Sequence, residues 1–184
     1  MPAFIAELKK RDAIAARALE FTILTAVRTS ETLNAVIQEF DLTNALWIIP
    51  SDRMKSGRPH KVPLSARTIE IVEEMKSAAV SDYLYPGQKP KRPLSNMSMT
   101  MLLRRMGYNN VTVHGFRSTF RDWAGDCTLF SREVAEAALS HSVGDIVERS
   151  YRRKDALEKR RNLMEQWAGF CAGLSSEKVI PLYG

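Results

Sequence analysis

Histidine and cysteine are scarce in this chain, with three of the first and two of the second among 184 residues. Cys127 and Cys171 are too few for a disulfide framework, and no cysteine–histidine grouping has zinc spacing. Both cysteines fall in apolar helical patterns and read as core residues. No apolar run approaches the roughly 18 residues of a membrane span. The N-terminal stretch carries Lys9, Lys10 and Arg11 but no following apolar segment, so it does not read as a secretory signal. A cytoplasmic protein with no membrane partner is the default expectation. There is no glycine-rich phosphate loop, no carboxylate pair at metal spacing, no internal repeat and no low-complexity segment. These absences argue against a disulfide-stapled module, a zinc module, a membrane anchor and a nucleotide-binding enzyme.

Apolar residues make up 45% of the chain and charged residues 26%, an ordinary balance for one compact domain. We expect that domain over 1–174 and an extended tail over 175–184. The net charge of +6 favours an anionic partner, nucleic acid or an anionic membrane surface, without choosing between them.

The pattern predicts a mainly α domain with one small antiparallel sheet. A helix rich in Ala, Leu and Ile is expected over 12–27, and a second near 30–38 with Ser30 as its N-cap. Leu46-Trp47-Ile48-Ile49 reads as a strand ended by Pro50. Ser56-Gly57 marks a hairpin turn and His60–Leu64 a third strand. Ser65 precedes a helix carrying Ile69, Val72 and Met75 on one face. Met99, Leu102, Leu103 and Met106 have helical spacing, with Gly107 placed to end that helix. In the next helix Phe116, Phe120 and Trp123 share one face. His114, Arg117 and Arg121 share another, expected to point away from the aromatic anchor. Ser131 opens a helix with Val134, Ala135, Ala138 and Leu139 inward and His141 just past its end. Asp145 is placed to cap a short helix through Tyr151, and a last helix is expected near 156–173.

Several polar pieces stand in order along the chain. Thr25-Ala-Val-Arg28-Thr-Ser-Glu31 and Arg53-Met-Lys55 come first. His114-Gly-Phe-Arg117, Leu139-Ser-His141 and Ser150-Tyr151-Arg152 follow. One His-x-x-Arg alone says little; the ordered set says much. Two arginines suit a phosphodiester, because each planar fork pairs two oxygens and stays ionised at any working pH. A tyrosine among cations is a plausible nucleophile, since positive charge favours the phenolate. A histidine one turn from Arg117 can donate to an oxygen or move a proton.

With those motifs, residues 15–172 resemble the tyrosine recombinase (phage integrase) family, especially integrases of satellite phages and genomic islands. The Met-Lys hairpin followed by Arg-Pro-His-x-Val-Pro-Leu-Ser strengthens the resemblance. It implies site-specific DNA recombination through a 3′-phosphotyrosine, with no metal and no nucleotide cofactor. It implies Tyr151 as nucleophile, Arg28 and Arg117 as phosphate clamps, His114 and His141 as site histidines and Lys55 as general acid. Lys61 is a rival for that last role. Glu31 would orient the arginines or His114. Arg53, Arg152 and Arg153 are expected to contact DNA; the basic run Lys159-Arg160-Arg161 reads either as phosphate contacts or as a solvated face. The implied partner is double-stranded DNA, bound as a tetramer on two duplexes, with the isolated domain a monomer lacking the N-terminal DNA-binding modules of the family. Ala26 departs from the pattern, which often has glycine there. A type IB topoisomerase and a non-catalytic prophage remnant are the competing readings.

Overall fold

The fold is seen in a computed structural model that describes residues 1–54, 56–141 and 153–174. Helix α2 (Ile14–Thr25) is buried on nearly every side, from Ala16 and Leu19 to Phe21, Ile23 and Leu24. A helix apolar all round belongs at the centre of a domain. Around it pack α1 (Pro2–Lys9), α3 (Thr29–Leu33), α4 (Ala66–Ser77), α5 (Ser98–Arg105) and α8 (Arg153–Ala172). Its one carboxylate, Glu20, is fully buried and is held by the fork of Arg67, at 2.8 Å and 3.0 Å. Bidentate pairing is the geometry that makes such burial tolerable.

The sheet is three-stranded and antiparallel in the order β1 (Phe40–Asp41), β2 (Leu46–Ile49), β3 (His60–Pro63). Phe40 pairs Trp47, Trp47 pairs Val62, and Ile49 pairs His60. Strand alternation buries His60 and Val62 and exposes Lys61 between them. Trp47 is fully buried, stacks on Phe40 and donates its indole N–H to Glu39 at 2.8 Å.

Helices α6 (Gly115–Cys127) and α7 (Arg132–Ala138) pack on α8. Phe120, Trp123, Trp167 and Phe170 form one aromatic cluster, and the Trp167 indole donates to the Ile23 carbonyl of α2 at 2.8 Å. Two arginines of α8 reach the sheet instead of solvent. Arg160 donates to the Lys61 carbonyl at 2.8 Å, and Arg161 to the Ala45 and Asn44 carbonyls at 3.2 Å each.

Three helices end on the same left-handed device. At α5, α7 and α8 the residues Gly107, Ser140 and Gly173 take φ of 85°, 55° and 76°. The next amide bonds back five residues: Tyr108 to Leu103, His141 to Glu136, Leu174 to Gly169. Gly107 thus ends α5 as its sequence predicts.

Other expectations change. Helix α1 is additional, its Phe4, Ile5 and Leu8 buried beside α2 and α8. The helix expected over 30–38 stops at Leu33, because Val36 bridges Tyr83 and the Leu84 amide takes the Ala35 carbonyl at 2.8 Å. Its N-cap is Arg28 rather than Ser30. Cys127, expected in the core, is exposed at the end of α6; Cys171 is buried. The last helix already runs at Arg153. The short helix expected at Asp145 and the tail over 175–184 lie outside the described residues. Among the described residues no helix is long and apolar enough to cross a membrane.

Tyr85 is fully buried with no hydrogen-bond partner for its hydroxyl. An unpaired buried hydroxyl costs about 1–3 kcal/mol relative to an apolar group of the same shape. Tyr85→Phe should therefore hold or raise stability, by up to about 1 kcal/mol, measured as the urea midpoint. A clear loss would show that the hydroxyl is partnered.

Candidate active site

The site forms where three chain segments end. Helix α2 closes on Ala26, whose φ of 53° is left-handed. Alanine pays about 1–2 kcal/mol there, which explains why the pattern favours glycine and shows that the turn itself is kept. The turn leads at once to Arg28, the N-cap of α3. Glu31, only 4% exposed, accepts the Arg28 amide at 2.8 Å and its Nη1 at 2.8 Å. One carboxylate thus caps the helix and aims the arginine, whose side chain stays 30% exposed.

Arg117 is one turn into α6, on the face expected to point away from the aromatic anchor, and its side chain is buried. Its placement is set by carbonyl groups freed at two helix ends. Nη1 donates to the Ala26 carbonyl beyond α2, and Nη2 donates to the Leu139 carbonyl beyond α7 at 2.9 Å. Nη2 also lies 3.3 Å from His141 Nε2. His141 Nδ1 in turn lies 2.6 Å from Glu136 Oε2. Burial, with the like charge of Arg28, lowers the Arg117 pKa to about 10, partly offset by Glu31 and Glu136. The guanidinium remains ionised at neutral pH.

Arg28, Glu31, Arg117 and His141 therefore converge. His114 is the exposed N-cap of α6, one turn before Arg117. Lys55, Tyr151 and Arg152 lie outside the described residues, and Arg153 enters only as the first backbone position of α8. Arg53 is turned inward: it pairs with Glu39 at 3.1 Å and donates to the carbonyls of Asn34 and Glu31.

Two participants escape the sequence reading. Glu136 stands five residues before His141, outside the usual three- and four-residue helical spacing, and the left-handed Ser140 brings the two together. His60 was legible only as a strand residue. It is buried with a hydrogen bond to the Ala138 carbonyl, among the charges of Arg160, Glu31 and Arg117. Among the described residues no cluster of side chains is placed to hold a metal ion.

The phage integrase family profile matches residues 1–158 of the chain. The chain belongs to the phage integrase family. Prophage integrase IntA of Escherichia coli strain K12 is 35% identical over 161 residues, covering 86% of this chain and 39% of that protein. The integrase of Enterobacteria phage P4 is 32% identical over 201 residues, covering 98% of this chain and 46% of that protein. The chain thus spans less than half the length of these two relatives. The integrase of mycobacterium phage Brujita has the same fold, with a TM-score of 0.67 at 17% identity over 90% of this chain and 56% of that one. The helical architecture with its three-stranded sheet is the family's.

Burial of His60 lowers its pKa from 6.5 to about 4. The unfolded chain then binds a proton that the folded chain refuses, so stability falls as pH drops through this window. The full contribution is present above pH 6.5 and is lost by about pH 4, on the order of 3 kcal/mol. His60→Gln should flatten the stability–pH curve between pH 6.5 and 5, read by urea denaturation. An unchanged slope would remove His60 as its cause.

Proposed function

We propose that this chain carries the strand-cleavage site of a site-specific DNA recombinase that works through a 3′-phosphotyrosine. The observation that supports it most is the grouping of Arg117 against His141, within reach of the charge of Arg28, braced by the buried carboxylates of Glu31 and Glu136. In-line attack on a phosphodiester gathers negative charge on two non-bridging oxygens. Guanidinium groups held in place beforehand need little reorganisation when the charge develops.

In this reading the Tyr151 phenolate attacks the phosphorus, and the bond to the 5′ oxygen breaks. Lys55 gives that oxygen its proton, so a free 5′ hydroxyl leaves and the phosphate stays on the tyrosine. Religation reverses each transfer, which conserves the bond energy without a nucleotide. His114 and His141 hold or move protons at the non-bridging oxygens. Strand alternation supports Lys55 over Lys61: Lys61 is exposed on β3 between His60 and Val62, and the buried His60 is the one that senses Arg117.

The partner is double-stranded DNA. Exchanging two duplexes breaks four strands, so a tetramer on DNA is the proposed assembly, with the isolated domain a monomer. The bacterial cytoplasm is the proposed location. Arg53 serves this site from behind, by fixing the carbonyl of Glu31, more than as a DNA contact.

On a nicked duplex carrying an attachment site, a covalent protein–DNA adduct should form in EDTA and vanish in Tyr151→Phe. Arg28→Ala should retain DNA binding and slow adduct formation by about 10²–10³-fold, the usual loss for one transition-state donor. An adduct that persists in Tyr151→Phe, or an absolute metal requirement, would overturn the mechanism.

A further inference from the structure

Glu136 is buried at the site without a role in the steps above. We propose that Glu136 is a positioning residue for His141, fixing the ring so that Nε2 faces Arg117 and the phosphate between them. The proposal rests on the DNA-cleavage reading for its consequence, but the contact itself stands on geometry.

The end of α7 brings the two side chains together. With Ser140 left-handed, the His141 amide donates to the Glu136 carbonyl at 2.9 Å and the Ser140 amide to the Ala137 carbonyl at 3.2 Å. This arrangement normally presses two apolar side chains against each other at those positions. Here a carboxylate and an imidazole meet instead, at 2.6 Å.

The chemistry then fixes the ring. Glu136 is 6% exposed, yet its carboxyl is held below its ordinary range, chiefly by the His141 hydrogen bond and further by Arg121 and Arg132, against the effect of burial. An ionised carboxylate only accepts, so Nδ1 must carry the proton. On the other side of the ring the Arg117 guanidinium only donates, so Nε2 must accept. Donor and acceptor faces are thereby set from both sides. The second carboxylate oxygen, Oε1, makes no hydrogen bond, but Arg121 Nε lies 2.9 Å and Arg132 Nε 3.7 Å from it. Their positive charge favours the ionised carboxylate. When a phosphate oxygen enters beside Arg117, Nε2 already points at it. A proton taken up there makes the ring a donor whose charge Glu136 balances.

Nitrogen-15 NMR of the histidine side chains in the DNA-free chain tests the contact directly. The parent should show His141 with Nδ1 protonated and Nε2 bare. Glu136→Ala should move the ring to the other tautomer or to an exchanging mixture. Glu136→Gln should keep the parent tautomer, because its amide oxygen can still accept. On nicked attachment-site DNA, Glu136→Ala should slow adduct formation by about 10-fold or more with DNA binding unchanged, and Glu136→Gln should recover most of it. The parent tautomer in Glu136→Ala, or parental cleavage by that variant despite a changed tautomer, would overturn the proposal. Tautomer control by Glu136 in a parent that forms no adduct would support its hold on the ring and overturn the DNA-cleavage reading.

Discussion

Arg117 is a guanidinium taken out of water beside a second guanidinium, Arg28, and that placement dictates what the surrounding elements must supply. Desolvation disfavours the charged form most, and the like charge of Arg28 adds to it; the lowered Arg117 pKa records both. Carbonyl oxygens from the ends of α2 and α7 and the carboxylates of Glu31 and Glu136 offset the cost. Arg117 satisfies carbonyls freed at the ends of α2 and α7, and Glu31 caps α3, so local backbone needs and the needs of the site are met together. Removing a carboxylate from such a cluster leaves uncompensated positive charge, which is why Glu31 and Glu136 matter beyond their own bonds.

The sheet and α8 extend this constraint outward. Arg160 and Arg161 look like a basic phosphate-binding run, yet Arg160 donates to a carbonyl of β3 and Arg161 to carbonyls of the turn between β1 and β2. Burial lowers the Arg160 pKa, as expected for a cation used as a structural bolt. The bolt joins α8 to the strand that carries His60, and His60 reaches the α7 residue next to Leu139. Sheet, α7 and α8 are thus fixed relative to Arg117 through polar contacts, while the aromatic cluster around Trp123 and Trp167 supplies bulk.

Where periodicity and end signals were strong, the sequence was readable. Leu46–Ile49, the Gly107 stop and the apolar face of α6 all stand where pattern placed them. The ordered motifs likewise brought Arg28, Glu31, Arg117 and His141 to one place. What stayed hidden depended on contacts distant in sequence. Nothing near Val36 announces that it will bridge Tyr83 and stop a helix. A helical wheel puts Arg117 off the aromatic face, and only the carbonyls of Ala26 and Leu139 explain why it is buried. Glu136 was invisible because a left-handed serine, rather than a glycine, sets its spacing to His141.

The contacts that build the site join residues far apart along the chain. Arg117 meets the Ala26 carbonyl across 91 residues, Arg160 meets the Lys61 carbonyl across 99, and Trp167 meets the Ile23 carbonyl across 144. Long-range closures are entropically late events in folding. A growing polypeptide would therefore carry Arg28 and Arg117 before the end of α7 arrives with the Leu139 carbonyl and His141. The cluster is complete only when segments from both halves of the chain have met, so its geometry is a late reporter of folding.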